Sequence, residues 1–175
     1  MKNKLLQFQI ISTIIVSIVG VLLHFTYEWS NNNVIVGLFS AVNESTWEHL
    51  KLIFYPMLIT TIIGYFYIGK EKSNFLCAKI IGILVSISFT VIFFYTYTGI
   101  LGTNVDFLNI ATFFIAVVLG EFIAYRYMLS SNPCNKKFAI LTIIILILCF
   151  TIFTFFPPQI GLFEEPTSVT ICFMN

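Results

Sequence analysis

Five long apolar stretches divide the chain, at about Leu5–Tyr27, Thr46–Ile68, Asn74–Leu101, Val105–Leu129 and Phe138–Phe156. Each reaches the roughly 20 residues that a helix needs to cross the hydrocarbon core of a bilayer. The breaks between them have local causes. Ser30-Asn31-Asn32-Asn33 is a polar run, and Gly69-Lys70-Glu71-Lys72-Ser73-Asn74 is a short charged turn. Gly99 through Asp106 is a glycine-bearing turn, Pro133 disfavours helix at Asn132, and Pro157-Pro158 ends the last stretch. The pattern predicts an all-α membrane protein of five transmembrane helices, with one helical domain over residues 1–156 and a non-helical tail over 157–175.

Finer features sit inside this frame. Val34–Val42 is apolar but too short to span, so it reads as a re-entrant or interfacial segment before the second helix. Ser45-Thr46-Trp47-Glu48 reads as a capping box, in which the Ser45 oxygen meets the Glu48 amide and the Glu48 carboxylate reaches back to Ser45. Pro56 removes a backbone donor within the second helix and is expected to kink it. Ala116, Gly120 and Ala124 form a small-residue stripe that lets another helix approach closely.

Composition strengthens the membrane reading. Hydrophobic residues make up 58% of the 175 and charged residues 10%, against about 25% charged in an ordinary soluble domain. The mean hydropathy is +0.95. A net charge of +1 offers no large basic patch, so nucleic acid is not an expected partner. The expected surroundings are a lipid bilayer, with a homo-oligomer or partner subunit as a further partner. Lys2, Lys4, Lys70, Lys72, Lys79, Arg126, Lys136 and Lys137 all fall on one side, leaving Lys51 on the other. The positive-inside rule then places the N-terminus in the cytoplasm and the C-terminus outside. Lys2 and Lys4 precede an apolar run too long for a signal-peptide core, so the first segment reads as a retained helix. Cys77, Cys134, Cys149 and Cys172 show no CxxC and no evident pairing, and read as packing residues. Asn43-Glu44-Ser45 matches a glycosylation sequon and is read as chance.

Ionisable groups in or beside a span need a reason, because hydrocarbon penalises each by roughly 2.5–3.5 kcal/mol or more. Thr13, Ser17, Gly20, His24 and Glu28 share one face of the first helix. His24, Glu28, Glu44, Glu48 and His49 come to a similar depth at the lysine-poor end. Deep in the fourth helix lies Glu121, whose simplest partner is Arg126 or Lys79. His24 and His49 with Glu48 or Glu44 would make a three-ligand set for a divalent metal such as zinc, with water in the fourth position. The same four residues are the candidate catalytic groups. No HExxH is present, and the adjacent Glu48 and His49 diverge by about 100° around a helix. Glu48 also has its competing role in the cap. The tail from Pro157 to Pro166 is expected to fold back over the outer face, either as a cap or as a lid over a site.

The run Asn43-Glu44-Ser45-Thr46-Trp47-Glu48-His49-Leu50-Lys51, with Leu23-His24-Phe25, Val36-Gly37-Leu38-Phe39-Ser40 and the Pro157-Pro158 to Leu162-Phe163 tail, resembles an uncharacterised bacterial membrane family, a domain of unknown function. The resemblance covers nearly the whole chain. It implies a multi-pass protein of the bacterial plasma membrane and brings no activity. A glycine expected by that pattern is absent around Val169–Ile171. By analogy alone, the polar set is also similar to membrane-embedded zinc hydrolases of the ceramidase and progestin-receptor type, which use more histidines and more helices. Three functions remain open: a metal-dependent or acid/base enzyme in the membrane, a transport or binding component, and a structural or assembly protein without catalysis.

Overall fold

The computed structural model describes residues 2–130 and 132–166. All regular structure among these residues is helical: α1 Lys2–Trp29, α2 Val34–Gly37, α3 Thr46–Gly64, α4 Phe75–Leu101, α5 Asp106–Leu129 and α6 Lys136–Phe155. A π-helical turn, Tyr65–Gly69, continues α3. Five helices, with α3 counted through its π-turn, are long and apolar enough to cross a membrane. They match the five apolar stretches, and Pro133, Pro157-Pro158 and the charged turn fall in the breaks between or after the helices.

Helices α1, α3, α4 and α5 form a closed ring of neighbours, with α6 attached outside it against α4. α1 buries Leu5, Gln9, Ser12, Val16 and Gly20, one stripe at three- and four-residue spacing. Between Leu6 and Phe25 its exposed side chains are apolar apart from Gln7, as a lipid-facing helix requires. Close approach of α4 and α5 depends on glycine: a Cβ on Gly82 would lie 2.6 Å from the Gly120 carbonyl oxygen. Ser86 Oγ donates across the same crossing to Ala116 O at 2.8 Å. Helix α3 runs through Pro56. Proline has no N–H, so the Leu52 carbonyl lacks its usual i+4 partner. That carbonyl faces Gly20, where a Cβ would come within 2.6 Å of it.

The segment before α3 neither spans nor stays free. After α2, Ser40 Oγ donates to Leu23 O and accepts from the Tyr27 amide, so the chain folds back on the end of α1. Ser45 Oγ caps α3 by accepting from the Glu48 amide at 3.3 Å. The reciprocal arm of the expected capping box does not form. Ser45 N donates instead to Asn43 Oδ1 at 3.0 Å, and the Glu48 carboxylate turns to Lys51, 2.6 Å away. A buried ammonium outcompetes a neutral amide for a carboxylate.

Two readings of the ends need revision or extension. Cys77 and Cys134 form a disulfide that ties the start of α4 to the α5–α6 connection, contrary to the expectation of four packing cysteines. Their distance in sequence hid a pairing that only the return of α5 beside α4 creates. Cys149 is a free thiol, and Cys172 lies outside the described residues. The tail up to Pro166 folds back on the lysine-poor end: Trp47 N donates to Leu162 O at 2.9 Å, and Phe163 packs on the Trp47 ring.

Candidate functional site

At the lysine-poor end the ring of four helices holds a cavity of about 760 Å³. Its size falls in the range of roughly 300–1,000 Å³ that houses a small ligand. Gly20, Val21, His24 and Phe25 come from α1, Thr46, His49, Leu52 and Ile53 from α3, Thr90 and Phe94 from α4, and Ile110, Thr112, Phe113 and Phe114 from α5. Glu44, Asn104, Asp106, Asn109 and Pro166 supply polar groups and part of the rim.

His24 and His49 meet on its wall. Their Nε2 atoms are 3.3 Å apart, and Glu44 Oε2 lies 3.4 Å from His49 Nε2 and 3.9 Å from His24 Nε2. Ligands 2.0–2.2 Å from a tetrahedral zinc are separated by about 3.4 Å. The three observed separations bracket that value. His49 is also oriented from behind, since its Nδ1 lies 2.9 Å from the Ser45 carbonyl. A carbonyl only accepts, so Nδ1 carries a proton, and Nε2 offers a lone pair to a metal when the ring is neutral or an N–H to Glu44 when it is protonated. The hydrogen bond with His49 holds the Glu44 carboxyl below the usual carboxylate range; partial burial opposes it, and the charges of both imidazoles assist. The Glu44 side chain is 64% exposed, so the set opens to the cavity mouth.

Sequence places these residues because three local features converge. The last turns of α1 carry His24, the Ser45 cap fixes the first turn of α3 and so His49, and the folded-back loop carries Glu44. Glu48 is elsewhere. It is 2% exposed and bonded to Lys51 Nζ at 2.6 Å, to the Val42 amide at 3.0 Å and to Thr154 Oγ1 at 3.1 Å. Lys51 in turn donates to the Gly37 carbonyl at 2.7 Å. This pair clamps both sides of the loop that presents Glu44. Glu28 lies exposed near the end of α1, outside the three-residue set.

A second polar cluster lies deep in the bundle. Lys79 Nζ, fully buried, is 2.7 and 2.6 Å from the two Glu121 oxygens. Ser12 Oγ and Gln9 Nε2 each donate to the same carboxylate at 2.8 Å. Lys79 is thus the partner of Glu121, and Arg126 is exposed near the end of α5. Gln9 and Ser12 escaped the sequence reading. Their signal was present, as polar residues continuing the Leu5–Val16–Gly20 stripe. Opposite the histidines, Asn109 Nδ2 donates to Asn104 Oδ1 at 2.7 Å, and the Tyr97 hydroxyl lies against both asparagines. Asn104 was also missed, because a loop residue has no periodicity to reveal it.

The fold and this site belong to a multi-pass helical membrane protein. The chain matches the model of the Family of unknown function (DUF6512) over residues 1–171 and belongs to that family. No curated protein and no solved structure matches it.

Proposed function

We propose that the protein is a membrane-embedded, metal-dependent enzyme of hydrolytic type, with His24, His49 and Glu44 as ligands of one zinc-like divalent cation. The observation that carries this reading is the convergence of the three ligand atoms at 3.3, 3.4 and 3.9 Å on the wall of a cavity. The set matches the two-histidine, one-glutamate composition of open catalytic zinc sites. A metal held there would lower the pKa of a bound water toward 7 and supply hydroxide. The half-exposed Glu44 leaves room for that water. Glu48 serves as a positioning residue for the loop, through Val42 and Lys51.

The lysine distribution supports the N-terminus in the cytoplasm of a bacterial plasma membrane, with the site facing outward. Lys51, the basic residue assigned to the outer side, is sealed in its pair with Glu48 and leaves that side poorer still in free cations. The transport alternative gains no comparable support. The cavity lining includes neither Glu121 nor Lys79.

Metal analysis of the purified full chain tests the proposal. One equivalent of zinc in the wild type, lost in His24→Ala, His49→Ala and Glu44→Ala, is the expected result. A metal-free wild type that also fails to take up added zinc would sink it.

A further inference from the structure

Four of the residues lining the cavity are unusual for a closed pocket. Val21 and Phe25 on α1 are 42% and 43% exposed, and Ile110 and Phe114 on α5 are 59% and 40% exposed. These residues lie on helices whose other exposed side chains, such as Ile18 and Ile115, face lipid. The cavity wall therefore continues between α1 and α5 onto the membrane-facing surface. Lower down the same two helices are closed by Gln9 and Ser12 against Glu121. The opening is lateral and confined to the half that holds the histidines.

The chemistry of the wall divides in two. Most of the lining is apolar or aromatic, and its polar groups gather at one end. There the His24–Glu44–His49 set faces a wall of Asn104, Asp106 and Asn109. Among the described residues the lining contains two carboxylates, Glu44 and Asp106, and no lysine or arginine. A head bearing a phosphate or carboxylate would meet like charge there, with no cationic side chain to pair it. An uncharged or cationic head meets carboxylates and asparagine side chains that can accept and donate. The Leu52 carbonyl, left without its i+4 donor by Pro56, belongs to another lining residue.

We propose that the cavity takes a single-chain amphiphile from the bilayer, with its hydrocarbon chain between α1 and α5 and an uncharged or cationic head between the His24–Glu44–His49 set and the asparagine wall. It rests on the function proposed above only for the placing of the head beside a metal. The apolar groove, the lateral opening and the lack of cationic lining residues stand without that reading. A cavity of this size has room for one chain and a small head, and the source is the lipid phase, since the opening faces it.

The test uses the full chain in phosphatidylcholine vesicles, with three photoreactive probes of equal chain length: a monoacylglycerol, an acylcholine and a free fatty acid. Zinc content is measured on the same preparations. Saturable crosslinks from the first two probes on Val21, Phe25, Ile110 or Phe114, with the fatty acid labelling weakly, are expected. Ile110→Trp, at an exposed position that tolerates a larger side chain, should lower the saturable labelling about tenfold by filling the groove. Asp106→Lys should raise fatty-acid labelling to at least that of the monoacylglycerol. Labelling spread evenly over the exposed helix faces, or a wild type that prefers the fatty acid, overturns the inference. Saturable labelling in a protein that never binds zinc would leave it intact and remove the metal-enzyme reading. Bound zinc with no saturable labelling in the groove would do the reverse.

Discussion

Glu121 and Glu44 are both carboxylates in a chain that has only 8 acidic residues, yet the protein treats them in opposite ways. Glu121 is 2% exposed and meets Lys79, Ser12 and Gln9 at once. Its negative charge is matched by one ammonium and its lone pairs are filled from two other helices, α1 and α4. Nothing is left over for a ligand. Glu44 is 64% exposed, bonded to one imidazole, and opens on a cavity. The first arrangement holds α1, α4 and α5 together. The second leaves coordination capacity unused. Glu48 resembles Glu121 in this respect, sealed with Lys51 and Thr154. A polar residue in an apolar bundle is therefore not by itself a functional sign. What separates structural from functional groups here is whether their hydrogen-bonding capacity is already met.

The largest effect should come from breaking the sealed cluster. Lys79→Ala strands Glu121 in a buried site, and such losses run to about 3–5 kcal/mol. Unfolding by SDS titration in mixed micelles reads this directly. The double change Lys79→Met with Glu121→Leu should recover much of that loss, because it removes both charges together. A loss below about 1 kcal/mol for Lys79→Ala would mean that the cluster is hydrated and that the contrast with Glu44 fails.

Glu48→Ala ranks next. It leaves Lys51 with the Gly37 carbonyl and Thr154 but no counter-charge, at about 1.5–3 kcal/mol for the lost charged hydrogen bonds. It also frees the Val42 amide and so loosens the loop that carries Glu44. Zinc affinity should fall by about 10–100-fold, the usual effect of a group that orients a ligand. If the affinity is unchanged while stability drops, Glu48 does not position Glu44.

Much of the fold was legible because lipid imposes one rule on every span, namely enough apolar residues and internally satisfied backbone. The glycine stripe on α5 and the Ser45 cap followed from equally local rules. The site was legible only to the level of depth. His24 and His49 could be placed at one end of the bundle, but their separation depends on how α1 and α3 cross, which Gly20 against Leu52 and Phe113 sets. The choice between Glu44 and Glu48 was beyond the sequence for a related reason. Lys51 is three residues from Glu48, and only its burial beside Gly37 and Thr154 makes it claim that carboxylate. The disulfide was hidden because its two cysteines are 57 residues apart.

That disulfide gives a smaller effect that bears on which end faces which compartment. Inserted helices have already lost most of the chain entropy a crosslink removes, so Cys77→Ser should cost about 1 kcal/mol, toward the low end of the usual range. The Cys77–Cys134 pair sits at the lysine-rich end, which the positive-inside rule assigns to the cytoplasm. Cytosolic thiols are kept reduced. A cytoplasmic placement would therefore open the bond in cells, and both cysteines would react there with a membrane-permeant maleimide without prior reduction. A fully oxidised pair would argue for the opposite orientation, and with it for a metal site facing inward.

The smallest effect on stability is expected at the histidines themselves, and it is the most informative. His24 and His49 have side chains 34% and 31% exposed, and their mutual contact replaces no buried charge pair. His49→Ala should change metal-free stability by within about 0.5 kcal/mol, as for other partly exposed positions. Metal should separate the two proteins. Zinc at about 100 times its dissociation constant stabilises a protein that binds it only when folded by about 2.7 kcal/mol. The wild type should gain that amount and His49→Ala none. Protons compete with metal for imidazole nitrogen, so the zinc-dependent gain should shrink as the pH is lowered. If zinc stabilises the wild type and His49→Ala equally, the ion binds elsewhere, and the open carboxylate at Glu44 loses the meaning that its contrast with Glu121 gives it.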